Sequence, residues 1–114
     1  MKNLKNSVTL MGHLGADPEF KQLENGKCLS KFRLATNEIY KTKEGEKVTT
    51  TQWHQCVAWG KQAELINQLL KKGKEVVVLG KINYRNYEDK EGQNRTVSEI
   101  VINEFSLTGK RETA

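Results

Sequence analysis

The stretch TTTQWHQCVAWGKQAELINQLLKKG, residues 49–73, decides the fold. Its first half, 49–59, is rich in Thr, Trp and Val, residue types that suit a pleated, half-buried surface. Period two puts Trp53, Gln55, Val57 and Trp59 on one face and His54, Cys56 and Ala58 on the other. Its second half, 61–72, is the single helical segment of the chain. Leu65, Ile66, Leu69 and Leu70 recur at i, i+1, i+4 and i+5 and make one apolar stripe. Gly60 frees the chain to enter the helix. Gly73 is placed to end it in the left-handed conformation, with Lys71 and Lys72 complementing the C-terminal dipole.

Strand signals dominate on both sides of this stretch. Residues 7–12 contain Val8 and Leu10 in alternation, after which Gly12 and Gly15 break or bulge the strand and Asp17-Pro18 turns it. A short strand over 20–23 leads into the hairpin signal Asn25-Gly26. In 28–36, Cys28, Ser30, Phe32, Leu34 and Thr36 face one way, and Leu29, Lys31, Arg33 and Ala35 the other. A charged loop follows over 41–47, with its turn at Gly45. Beyond the helix come a long strand over 75–87, a polar hairpin loop over 88–92 and a last strand over 95–107. The short strand apart, the order is three strands, one helix, two strands. That is the order of the OB-fold, a mainly β, five-stranded Greek-key barrel with one helix between strands 3 and 4, whose strands and loops commonly bind single strands.

Composition sets the bounds. A chain of 114 residues makes one domain with a modest core, expected over 1–109 with a short polar end over 110–114. Nineteen basic residues against 14 acidic ones give a net charge of +5, which permits a polyanionic partner without requiring one. Cys28 and Cys56 lie far apart, with no CxxC spacing and no His pair nearby, so they read as buried free thiols, with a disulfide as the alternative, rather than as zinc ligands. The polar start and the four-residue aliphatic run 76–79 argue against a secretory signal and a membrane span, leaving the cytosol as the expected compartment. No P-loop, nucleophile elbow or metal spacing appears; no enzyme activity, metal or cofactor is expected.

Tyr40, Trp53, Trp59 and Tyr87 are half of the eight aromatics, and each lies in or beside a strand with lysine or arginine nearby. Flat rings and scattered cations are the chemistry that grips unpaired bases, by stacking and by phosphate neutralisation. Trp53 and Trp59 share a face with polar Gln55, while Cys56 and Ala58 suit a tight interior, so both rings are expected to be exposed. Phe20, Phe32 and Phe105 are the core candidates, with Phe20 placed nearer the surface. Tyr84 is assigned to the core or a subunit contact. His13 is expected to face solvent or a neighbouring chain.

Six blocks carry a resemblance. They are Gly12-His13-Leu14-Gly15-Ala16-Asp17-Pro18-Glu19, Phe32-Arg33-Leu34-Ala35-Thr36-Asn37, Trp53-His54 with Trp59-Gly60-Lys61-Gln62-Ala63-Glu64, Leu70-Lys71-Lys72-Gly73, Val78-Leu79-Gly80-Lys81-Ile82, and Tyr87 ahead of Gly92-Gln93. In order and spacing they resemble bacterial single-stranded DNA-binding proteins, over essentially the whole chain.

The resemblance implies a homotetrameric, non-sequence-specific binder of single-stranded DNA acting in replication, repair and recombination. Stacking positions fall on Tyr40, Trp53, Trp59 and Tyr87; three differ in ring type from the commonest family residue. Groove cations fall on Lys21, Lys41, Lys43, Lys61, Lys72 and Arg85. Gln55, Asn83 and Asn86 are uncharged where relatives often carry a base, which implies fewer phosphate contacts per subunit. A first-strand edge at Ser7, Val8 and Leu10, together with His54, is implied at subunit contacts. The family's long linker and acidic, partner-recruiting tip have no counterpart here, as in a core fragment or a short form. An RNA-binding module of the cold-shock type and a protein-binding adaptor with the same core stay open as alternatives.

Overall fold

The computed structural model describes residues 4–108. The expected polar end, 110–114, lies outside them. The elements are β1 (Val8–Leu14), β2 (Glu19–Gln22), β3 (Cys28–Lys41), β4 (Lys47–Trp59), α1 (Lys61–Leu69), β5 (Glu75–Glu88) and β6 (Asn94–Leu107). The sheet runs β1-β5-β6-β4-β3-β2, and β1 also pairs with β3. That extra pairing closes a five-stranded barrel, β1-β5-β6-β4-β3, with β2 as a short hairpin partner of β3. The expected OB-fold is therefore present, with its helix between the third and fourth barrel strands.

Two features of the sequence make closure possible. The first is alternation. Cys28, Ser30, Phe32 and Leu34 of β3, Cys56 and Ala58 of β4, Val76 and Val78 of β5, and Ile100 and Ile102 of β6 are all buried. They form one core, against which Val8, Leu10 and Phe105 pack. The second is Gly12. A break or bulge is expected there from sequence, yet β1 runs through Gly12 to Leu14. A Cβ there would collide with the backbone carbonyl of Ala35, so glycine is what lets β1 cross close against β3.

Helix α1 plugs the barrel. Ala63 and Ile66 are fully buried, and Leu70 just beyond the helix is 1% exposed. The hydroxyl of buried Ser30 donates to the Ala63 carbonyl at 2.7 Å, fixing the helix to β3. Gly60 opens the helix at φ 65, as expected of a residue that must turn the chain sharply. The helix ends earlier than its periodicity suggests. Leu70 is already extended, and its N–H still donates to the Ile66 carbonyl. Lys71 and Lys72 therefore lie in the following turn, where the Lys72 N–H donates to Asp17 Oδ1 at 2.9 Å. Gly73 has its left-handed φ of 87 inside that turn, and its N–H donates to the Leu14 carbonyl. Tertiary hydrogen bonds from the β1–β2 bend have taken over the last helical turn.

Three side-chain assignments change. Leu69 is 45% exposed rather than part of the apolar stripe, because the buried positions step by three and four through Ala63, Ile66 and Leu70. Tyr84 is 70% exposed and so is not a core residue. Phe20 sits on the fully exposed β2 and contributes nothing to the core cluster, whereas Phe32 is central to it.

Both hairpins project beyond the barrel. β3 and β4 pair without interruption from Leu29↔Trp59 to Lys41↔Lys47, so the charged loop is shorter than expected, a turn over 42–46. β5 and β6 pair from Val76↔Leu107 to Glu88↔Asn94, with one irregularity at Leu79/Gly80. Between the hairpins the only ladder among the described residues is parallel and two pairs long, Cys56↔Ile100 and Val57↔Val101.

Candidate nucleic-acid interface

Trp53 and Trp59 stand on the outward face of β4, about half exposed. Strand alternation puts them on one side with Gln55 and Val57, and Val57 is buried between them. The register of β3 adds its own outward residues to this face. Leu29 lies opposite Trp59, Lys31 opposite Val57, Arg33 opposite Gln55 and Ala35 opposite Trp53. The result is a stripe of rings and cations.

Trp53 is held in place. The Arg33 guanidinium lies over its ring, 4.9 Å from the centroid. Gly15, in the bend after β1, meets the ring from another side. A Cβ at Gly15 would come within 2.5 Å of Cζ3, so only glycine leaves room for the indole. Beside this ring is a cleft of about 320 Å³, lined by Gly15, Phe32, Arg33, Trp53, Gln55 and Glu99 among others.

The β5–β6 hairpin supplies the far wall. Arg85 and Tyr87 share one face, with the guanidinium 5.9 Å from the ring centroid. Glu99 reaches Arg85 at 3.3 Å from the same face of β6. Since Glu99 also lines the cleft, Tyr87 and Arg85 lie on the same side of the barrel as Trp53. At the hairpin tip, Asp89 Oδ1 accepts the N–H groups of Glu91 and Gln93, and Oδ2 accepts from Arg95. The Arg95 bond, then the Gln93 N–H, hold the Asp89 carboxyl below its ordinary pKa.

Tyr40 is not brought onto this face. It is about half exposed, but it shares the parity of Leu34 and Thr36 along an unbroken ladder. It therefore leaves the ribbon on the side opposite Trp53. Lys41 lies at the end of β3 and Lys43 in the turn, both exposed. Lys21 on β2, Lys61 at the start of α1 and Lys72 after it are also exposed.

At the expected subunit contacts, Ser7 is exposed just ahead of β1, and Val8 and Leu10 are half-buried. β1 pairs with β5 from Val8 to His13 but with β3 only at His13 and Leu14. Its second edge has no ladder partner from Val8 to Gly12 among the described residues. His54 is half-buried, with Nε2 2.9 Å from Thr36 Oγ1. His13 is exposed and lies 3.6 Å from Glu75. Cys28 and Cys56 are both buried and free. Burial pushes the Cys56 thiol up to about 12.

Three participants escaped the sequence reading: Gly15, Arg33 as a neighbour of Trp53, and Glu99. Alternation put Arg33 on the outward face of β3. Its meeting with Trp53 needs the register Ala35↔Trp53, which no local pattern reports.

A sequence profile of the Single-strand binding protein family matches residues 5–108. The chain belongs to that family. The single-stranded DNA-binding protein of Neisseria meningitidis serogroup B is 41% identical over 106 residues, 93% of this chain and 61% of that one. Single-stranded DNA-binding protein 1 of Chlorobaculum tepidum is 38% identical over 109 residues, 95% of this chain and 67% of that one. The chain thus spans about three fifths to two thirds of the length of these single-strand binding relatives. Among solved structures, the Plasmodium falciparum SSB complex with ssDNA superposes with a TM-score of 0.79 at 32% identity, covering 94% of this chain and 95% of that one.

Proposed function

We propose that this chain binds single-stranded DNA without sequence preference and protects it during replication, repair and recombination. The observation that carries the reading is the pair of half-exposed tryptophans on the outward face of β4, set among Lys31, Arg33 and the cleft. Indoles of this size are normally spent on the core. Here they face solvent beside cations, the arrangement that stacks bases and neutralises phosphates. The family is non-enzymatic, which accords with this role.

In this reading the strand stacks on Trp53, Trp59 and Tyr87 along one side of the barrel. It reaches Tyr40 only by passing round the β3–β4 hairpin. Lys21, Lys41, Lys43, Lys61, Lys72 and Arg85 neutralise phosphates along the way. A path around the hairpin suits a wrapped strand, and a wrapped strand suits several subunits. The unpaired edge of β1 at Val8 and Leu10, with Ser7 beside it, is the natural place for a second copy to add. His54 belongs to that contact region. A homotetramer working in the cytoplasm is the assembly proposed.

Titration of the tryptophan fluorescence with poly-dT at several salt concentrations tests the function. Strong quenching is expected, with log K falling by about 0.7 per phosphate neutralised as log salt rises. No quenching, together with no binding in an independent assay, would overturn the reading in favour of a protein-binding adaptor.

A further inference from the structure

Arg33 and Trp53 are diagonal neighbours on the outward face of the β3–β4 ladder. The guanidinium covers the indole at 4.9 Å from its centroid. A guanidinium is planar, cationic and weakly hydrated, and it lies where a base would stack. Two planar groups cannot share one face of a ring. The ring itself is kept from retreating by its contact with Gly15. Arg85 spends its charge on Glu99, but no carboxylate is ion-paired with Arg33 among the described residues.

We infer that Arg33 is a DNA-contacting residue with two positions. In the free protein it caps Trp53; when a base takes that face, the guanidinium moves to a neighbouring phosphate. The inference rests on the single-strand reading of the site. The exchange gives up a cation–π contact at short range, which salt barely affects. It gains a charge-assisted hydrogen bond to a phosphate, whose benefit fades as salt rises. Arg33 therefore favours binding at low salt and opposes it at high salt.

The test is binding of a dT oligonucleotide, followed by anisotropy over a salt series, for the wild-type chain, Arg33→Ala and Arg33→Lys. Arg33→Ala is expected to bind about ten-fold more weakly at low salt. Its salt slope should be shallower by about 0.7, so that its line meets or crosses the wild-type line at high salt. Arg33→Lys should keep the wild-type slope. If Arg33→Ala does not fold by circular dichroism, Arg33→Gln, which removes the charge but keeps a planar end, takes the same slope test. Parallel lines for the neutral variant and the wild type overturn the inference, whether the variant is weaker throughout or unchanged. A wild-type chain that fails to bind the oligonucleotide overturns the proposed function itself, and this inference with it.

Discussion

The Nε of Arg85 lies 3.3 Å from Oε1 of Glu99, the only charged side chain buried among the described residues. A carboxylate lining a groove for a polyanion works against the ligand. It also competes with phosphate for the Arg85 guanidinium. Glu99→Gln should therefore bind single-stranded DNA more tightly than the wild type, with a salt slope steeper by about 0.7. Anisotropy over a salt series measures both, and wild-type affinity and slope in the variant would show that Glu99 does not compete with phosphate for Arg85.

Neither Trp53 nor Trp59 belongs to the buried core cluster. Alanine at either should cost binding about 1–3 kcal/mol and leave the fold intact. The doubly substituted chain should keep its circular dichroism spectrum and lose most of its affinity for poly-dT. A folded double variant with wild-type affinity would rule out stacking at β4.

Gly15 makes a subtler demand on the same ring. Gly15→Ala puts a methyl where the indole now lies, so Trp53 must shift. The free protein should show an altered tryptophan emission and a weaker affinity, while its unfolding midpoint changes little because the bend is at the surface. Gly12→Ala behaves oppositely. The clash there is with a strand backbone, and about 1–3 kcal/mol of stability should be lost in urea denaturation.

The β5–β6 tip responds to acid. Asp89 has its folded pKa lowered, first by Arg95 and then by backbone N–H groups. A lowered pKa means that the unfolded chain takes up the proton first. The stabilisation is therefore full above the ordinary value of 3.8 and is lost as pH falls through the lower folded value. Asp89→Asn should lower the melting temperature at neutral pH, and the difference from wild type should vanish in strong acid. A constant difference across the titration would exclude the Arg95 ion pair as the cause.

Cys56 responds to base. Its folded pKa, about 12, lies above the ordinary 9.0, so the unfolded thiol ionises first. Its contribution to stability is intact below 9.0 and declines as pH rises towards 12. In mildly alkaline buffer the native chain should resist a thiol reagent at Cys56, and react once unfolded in urea. Rapid labelling of the native protein would show that the barrel opens there.

Patterns confined to one strand were legible before the fold was known. Cys28, Ser30, Phe32 and Leu34, and Cys56 and Ala58, follow the alternation because that face meets the core, although Leu29 and Val57 on the outward face are buried as well. The exposure of both tryptophans followed from their shared parity with Gln55. Partners on other strands were not legible. Nothing near Arg33 in sequence points to Trp53, and nothing near Glu99 signals its burial against Arg85. The early helix end at Leu69 goes with a hydrogen bond that the Lys72 N–H donates to a residue more than fifty positions away, Asp17. Tyr40 groups with the other rings by residue type, neighbouring cations and resemblance, and only an unbroken register puts it on the reverse face. Tyr84 is exposed because β5 has by then left the barrel, which residue type alone does not reveal.

Stiffness in this molecule is unevenly distributed. Each long hairpin is an extended antiparallel ladder, interrupted once at Leu79/Gly80 in β5–β6, whereas the seams between the hairpins, β1 to β3 and β4 to β6, are each two pairs wide. Backbone hydrogen bonding is therefore dense within each hairpin and sparse between them. Their separation can change at the expense of a few seam hydrogen bonds while neither hairpin unfolds. In the proposed function, a change in that separation would fit a large purine or a small pyrimidine with the same parts, so tolerance of any base would be a mechanical property of the barrel as much as a chemical one of its rings.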